Sequence, residues 1–452
     1  MIAESKNSVD KGEKMLKNFP WSDGSLADID QLLGSKDNCE CGKIHTCNIK
    51  KVLIRNGALN ELGALCADFG HILLVCDKNT RSVCGEQVEA LLESKIEYAL
   101  TYECDGFLVP NEDAVEKLKS CITKNTDLVL GVGSGVINDL CKYVSHYHGL
   151  PYYIVATAPS MDGYASKGAA MIFDGMKITA NASVPMAIIA DTAILKEAPL
   201  EMLQAGYGDI IGKYSCLNDW RLSALVNGEP FCKYVYELTY GTVDSVANMG
   251  KAILSRDEES IAALMRALVI VGIAMAYMGN SRPASGSEHH LSHYFEVTGL
   301  LRGEPYFCHG IDVAYSTYET AKLRRELLGI DSPKAKPFDE HEWEENIRRV
   351  YGAQNDLTTA QEIIALQKKL GWIYEDKMPI YRERWGEIRE ILSDSPTPAQ
   401  VLEMLGSVEL SMSDFEKMYS ETKRRDSLNY AKDLKDRYSV LLLYEQILTH
   451  DK

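Results

Sequence analysis

From about residue 51 to 191, short apolar runs alternate with amphipathic stretches. The runs at 52–55, 72–76, 97–101, 128–131, 152–156 and 187–190 are rich in β-branched and aromatic residues, and several are almost continuously apolar. That pattern predicts parallel strands buried on both faces. Between them, 111–124 (NEDAVEKLKSCITK) has the spacing of an amphipathic helix. Strand–helix alternation of this kind predicts a doubly wound α/β domain. The stretch 169–183 instead predicts a hairpin turning at Asp174 and Gly175. Beyond about residue 200, apolar positions recur every three or four residues, as at 261–278, 356–370 and 398–405. The organisation predicted is a leader at 1–50, an α/β dinucleotide-binding domain at 51–200 and an all-α domain at 201–452. The polar stretch 329–345 is expected to be a loop between helices.

Two turns at strand ends carry candidate chemistry. In LVLGVGSGVINDL, from Leu128, Gly133 and Gly135 follow an apolar run and precede a helical stretch holding Asn138 and Asp139. Glycines let backbone approach a phosphate, and a helix N-terminus offers oriented N–H groups. The spacing is not G-x-G-x-x-G, so a plain tight turn is an equal alternative. The next run leads into Thr157, Ala158, Pro159 and Ser160, with Asp162 just beyond. Ligands of open α/β sheets bind at this edge, although a capped loop would use the same residue types.

In the helical half, Ser285-Gly286-Ser287-Glu288-His289-His290-Leu291-Ser292-His293 places His289 and His293 one helical turn apart. His309 follows in CHGIDVAY, and Asp209 lies in AGYGDIIGKYS. One carboxylate and two imidazoles leave the open position that a catalytic metal needs. Spacing alone does not join Asp209 to the histidines, and an acid at a helix start is an alternative for it. His290 is read as a surface or satisfied polar residue. A second cluster, Cys39, Cys41, His45 and Cys47, has metal-like composition but no standard zinc spacing, and a structured loop is favoured over a second metal site.

A net charge of −17 argues against broad nucleic-acid or anionic-membrane binding. No unbroken apolar run approaches the roughly 20 residues that span a bilayer; 261–278 is interrupted by Arg266 and reads as a buried helix. The N-terminus lacks an apolar signal core. Twelve scattered cysteines are then expected to be reduced thiols of a cytoplasmic protein.

The segments GVGSGVINDL, TAPSMDGYAS, GYGDIIGKYSCLNDWRLS, RPASGSEHHLSHYFE and CHGIDVAY resemble the sn-glycerol-1-phosphate dehydrogenase family, part of the iron-type alcohol dehydrogenase and dehydroquinate synthase-like group. The resemblance runs from about residue 50 to 330. It implies an α/β nucleotide-binding domain, an all-α domain and catalysis in a cleft between them. It also implies a divalent metal (zinc, nickel or iron) on Asp209, His289 and His309, with His293 and Asp162 at the substrate. NAD or NADP would contact Gly135, Val136, Ile137, Asn138, Asp139, Thr157, Ala158, Pro159, Ser160 and Ser166, with Asp77 near the adenosine ribose. The implied partner is a small phosphorylated three-carbon substrate, and the implied assembly a homo-oligomer, a dimer being favoured. An unphosphorylated polyol substrate and a dehydroquinate-synthase-like lyase are the competing readings.

Overall fold

The computed structural model describes residues 26–36, 39–103, 108–173, 176–353 and 356–448. They form two compact units, one from the described residues within 26–210 and 233–281, the other from those within 211–232 and 282–448.

The first unit is built on a six-stranded sheet of β3 (Lys51–Arg55), β4 (Ile72–Asp77), β5 (Ile96–Tyr102), β6 (Leu128–Gly133), β7 (Tyr152–Ala156) and β10 (Ala187–Asp191). All neighbours are parallel, in the order β3-β10-β7-β6-β4-β5. Each of the six expected runs is a strand of this sheet. The central strands β6 and β7 are buried along their whole length, which is why their sequences do not alternate. Each large apolar side chain so buried contributes roughly 1.5–3 kcal/mol. At mid-strand, a Cβ on Gly131 would lie 3.2 Å from both Cys141 Sγ and Ile154 Cδ1, so a side chain there would push its helix and strand neighbours back by a few tenths of an ångström.

A small antiparallel pair, β1 (Gly34–Lys36) with β2 (His45–Cys47), precedes the sheet. The pair β8 (Gly168–Phe173) and β9 (Met176–Asn181) is the expected hairpin; its turn at Asp174 and Gly175 lies outside the described residues. The helix expected at 111–124 is α1 (Glu112–Lys119), with Asn111 as its N-cap. It stops early because the chain tightens into three-residue turns, Cys121 N–H to Leu118 O and Ile122 N–H to Lys119 O. Helix α2 (Gly135–His148) follows β6, and α3 (Leu200–Asn227), α4 (Lys233–Ala247) and α5 (Glu258–Met278) come after the sheet. Helix α5 is long and apolar enough to cross a bilayer by length and composition alone, and it is the buried helix that 261–278 was expected to be. Its apolar window is 94% buried inside the structure, against strands, turns and α4.

The second unit is helical. Its elements include α6 (Ser287–Arg302), α7 (His309–Leu328), α8 (Glu340–Tyr351), α9 (Thr358–Leu370), α10 (Met378–Ser393) and α11 (Pro398–Ser407). Leu222, Leu327, Tyr381, Trp385, Ile388 and Leu443 form part of its core. The loop expected at 329–345 is a loop only to Asp339, which caps α8 by accepting from the Glu342 N–H. The charged letters EHEWEEN open a helix whose buried stripe, Trp343, Ile347 and Val350, recurs at helical spacing. Asp356, expected inside a helix, instead accepts from the Thr358 N–H just before α9 begins.

Candidate active site

The glycine turn is set by packing as well as by backbone freedom. A Cβ on Gly133 would lie 2.7 Å from Ile137 Cβ, so strand β6 can meet the first turn of α2 only with glycine there. Gly135 opens α2 and faces Met161, while Val136 and Ile137 continue its first turn. The Asn138 amide donates to Asp139 and its oxygen accepts from the Tyr152 hydroxyl, so this buried side chain is satisfied within the protein. Asp139 accepts the Ala170 N–H at 3.0 Å and faces Lys142 at 3.6 Å.

Lys142 is a residue that the motif reading missed. It is fully buried, and its ammonium donates to Gly163 O (2.6 Å), Gly168 O (2.9 Å) and Ser166 Oγ (3.3 Å). Burial raises the Asp139 carboxyl above its ordinary value and lowers the Lys142 ammonium, each partner opposing the other's shift. The signal was present: a lysine three residues after Asp139, one helical turn further along the same face. This buried pair anchors the segment carrying Asp162 and Ser166 to the helix of the glycine turn.

The Thr157–Ser160 turn is held from both sides. Thr157 donates its N–H to Gly133 O, and the Tyr164 hydroxyl donates to Ala158 O. Pro159 O fits against Gly206 of α3, where any Cβ would lie 1.7 Å from that oxygen. Ser160 and Ser166 are both buried. The turn at Asp162 presses on Gly272 of α5, where a Cβ would meet Asp162 O at 2.8 Å. Asp162 donates its own N–H to Asp209 Oδ2 at 2.9 Å. At the end of β4, Asp77 Oδ1 accepts from Thr80 N–H while Thr80 Oγ1 accepts from Asp77 N–H, a reciprocal helix cap.

In the helical unit, His289, His293 and His309 converge. Ring centroids lie 6.2 Å apart for His289 and His293, 5.1 Å for His289 and His309, and 5.4 Å for His293 and His309. His289 Nδ1 bonds Glu288 Oε1 at 2.6 Å, and His309 Nδ1 meets Ser292 Oγ at 3.1 Å. Contacts of this kind at Nδ1 fix the orientation of an imidazole, as they do for metal-bound histidines. Burial pushes the Glu288 carboxyl up, but the His289 bond and the charges of His289 and Lys213 outweigh it and hold it below its ordinary value. Glu288 was overlooked because it acts through its neighbour. His290, expected at the surface or satisfied, is fully buried, and neither of its ring nitrogens has a hydrogen-bond partner among the described residues. Burial, followed by nearby cations, keeps it neutral.

Helix α3 carries Asp209 one turn before residues that lock onto α6 and α7. A Cβ on Gly212 would lie 2.5 Å from Val313 Cγ1 and 3.3 Å from Glu288 Cγ. Farther along, Asp219 accepts the Ser287 N–H at 2.7 Å and pairs with buried Arg324 at 2.8 Å. The acid thus satisfies a donor at the N-terminus of α6 and fixes the register of the histidine helix. The side-chain ligand atoms of Asp209, His289 and His309 lie within 4.8 Å of one another. This donor set suits a divalent ion with an open coordination position.

Parallel sheet, helical half and a carboxylate–imidazole set describe a class of metal-dependent dehydrogenases, and comparison with known proteins agrees. Residues 53–199 match the family described as iron-containing alcohol dehydrogenase. The chain is 37% identical over 318 residues to "Glycerol-1-phosphate dehydrogenase [NAD(P)+]" of Halalkalibacterium halodurans, covering 67% of this chain and 80% of that protein. It is 33% identical over 320 residues to the protein so named from Bacillus licheniformis, covering 69% and 78%. Among solved structures, 1,3-propanediol oxidoreductase superposes with a TM-score of 0.57 at 14% identity, covering 89% of this chain and 99% of that one, a likeness of fold. The chain belongs to the sn-glycerol-1-phosphate dehydrogenase family of iron-containing alcohol dehydrogenases.

Proposed function

We propose that the protein is a metal-dependent, NAD(P)-linked sn-glycerol-1-phosphate dehydrogenase, interconverting dihydroxyacetone phosphate and sn-glycerol 1-phosphate. The observation that carries this reading is the Asp209, His289 and His309 donor set, in a chain whose relatives bear that name. Residues 51–200 would bind the dinucleotide and 201–452 the metal and substrate, with 1–50 as a leader.

When bound, the ion supplies Lewis acidity at the substrate oxygen and the nicotinamide supplies or accepts the hydride. Zinc, nickel and iron all suit the donors. Asp209, His289 and His309 hold the ion, and Glu288 and Ser292 orient the two imidazoles. His293 passes the proton to the oxygen as the substrate carbon takes up hydride, and accepts it in the reverse direction. Asp162, fixed by its N–H to Asp209, holds the neighbouring substrate hydroxyl. Gly133, Gly135, Val136, Ile137, Asn138, Asp139, Thr157, Ala158, Pro159, Ser160 and Ser166 line the dinucleotide. In this set Asn138, Asp139 and Ser166 act mainly by shaping the turn, since their side chains already bond within the protein. Asp77 lies at the ribose, with one carboxylate oxygen engaged in its helix cap. A dimer in the cytoplasm completes the reading.

Oxidation of NADH or NADPH by purified, metal-loaded protein with dihydroxyacetone phosphate tests it. Turnover that a chelator abolishes, giving glycerol 1-phosphate and not its enantiomer, is the expected result. Activity on unphosphorylated dihydroxyacetone alone would transfer the protein to the polyol dehydrogenases. Inertness toward both would overturn the assignment.

A further inference from the structure

The cysteine-rich leader is not absorbed by the dehydrogenase reading. Residues 39–42 form a tight turn, with the Gly42 N–H donating to Cys39 O at 2.9 Å and Gly42 at a φ of 76°. Left-handed backbone there is what glycine allows, and it brings two cysteines separated by one residue to the same bend. Strand β2 then returns along β1, placing His45 opposite Lys36.

His45 is wholly buried, and its two ring nitrogens face different partners. Nδ1 donates to Tyr277 O at 3.1 Å, while Nε2 faces Cys41 Sγ at 3.4 Å. The carbonyl therefore fixes the tautomer with the Nε2 lone pair aimed at sulfur, as an orienting partner does for a metal-bound imidazole. The ring lies between Tyr277 and Tyr234, at centroid distances of 5.3 and 6.3 Å. Tyr234 belongs to the start of α4, and Cys232 lies two residues before it. The ligand atoms of Cys39, Cys41, His45 and Cys232 all lie within 4.8 Å of one another. Cys47, which the spacing had suggested as a fourth member, is not among them.

We infer that Cys39, Cys41, His45 and Cys232 form a closed structural zinc site, distinct from the Asp209, His289 and His309 donors. Three thiols and one imidazole are a soft set that selects zinc, and Cys₃His is a complete tetrahedral shell with no position left for substrate. Sulfurs around zinc at about 2.3 Å sit roughly 3.8 Å apart, so the observed cluster needs only a small contraction to close. A disulfide would use two of the thiols and leave the aimed imidazole without a role; an ion uses all four groups. Binding converts three thiols to thiolates and releases their protons to solvent. The site ties the leader turn to the start of α4, far along the chain.

Cobalt substitution of the full-length protein tests this, because thiolate-to-cobalt charge transfer gives a near-ultraviolet band that an Asp/His/His centre cannot produce. The wild-type protein should show the band, and the Cys232→Ser variant should lose it together with one equivalent of tightly held zinc. His289→Ala should keep both, so the result is independent of whether the dehydrogenase assignment stands. If Cys232→Ser does not fold, the wild-type band alone decides. Cobalt uptake without a thiolate band would overturn the site. So would alkylation and mass measurement showing a disulfide among these cysteines in freshly purified protein.

Discussion

The residues with the clearest roles are those whose chemistry is rare in their surroundings. His289, His293 and His309 stand out because imidazoles cluster in an apolar stretch, and the structure gathers their rings within 6.2 Å. Glu288 and Lys142 were harder to read, since each acts through a partner and carries no signature of its own. Glu288 gives the sharper prediction. Its carboxylate accepts from His289 Nδ1 and the Gly286 N–H, so Glu288→Gln keeps the shape but weakens the orienting bond. Metal affinity should fall about 10–100-fold, as when other orienting partners are lost. Metal titration of the apo-protein checks this, with circular dichroism confirming the fold; unchanged affinity would remove Glu288 from the centre. His289→Ala should abolish turnover together with metal binding at this centre, and retained activity would break the ligand assignment.

At the scale of elements, the parallel strands were legible because burial on both faces writes itself as continuous apolar sequence. Helix α8 was not, because its exposed charges outnumber the stripe that holds it down. Close backbone approaches were also invisible, since no local pattern reveals which glycine a distant carbonyl will meet. Gly206 is the strongest case, with Pro159 O where its Cβ would be. Gly206→Ala should force the Thr157–Ser160 turn away from α3, cost about 1–3 kcal/mol and raise KM for the dinucleotide. Denaturant melts and steady-state kinetics measure both; a neutral result would mean that the turn yields freely. Gly386 makes the control. It sits inside α10 with nothing within 4 Å of an added Cβ, so Gly386→Ala should stabilise by about 0.5–1 kcal/mol and leave kinetics unchanged.

On the scale of the whole molecule, both donor sets join segments that are remote in sequence, and this sets what metal removal should do. Asp209 was within reach of sequence reasoning only through family resemblance, and Cys232 not at all, because contacts across so many residues leave no local trace. An ion that binds only the folded state stabilises it by mass action, about 2.7 kcal/mol at a hundredfold excess over Kd. A strong chelator should therefore lower the melting temperature as well as abolish turnover. The two sites share no ligand, so their contributions should add. His289→Ala should lose the part due to the active-site ion and still respond to chelation through the cysteine site; Cys232→Ser should do the reverse and retain catalytic metal. Thermal melts of the wild type, both single variants and the double variant, each with and without chelator, measure the two terms. If the double variant still melts lower on chelation, an ion is bound elsewhere. If either single variant abolishes the whole response, the two sites are one cooperative unit, and loss of the leader's zinc would itself empty the catalytic centre.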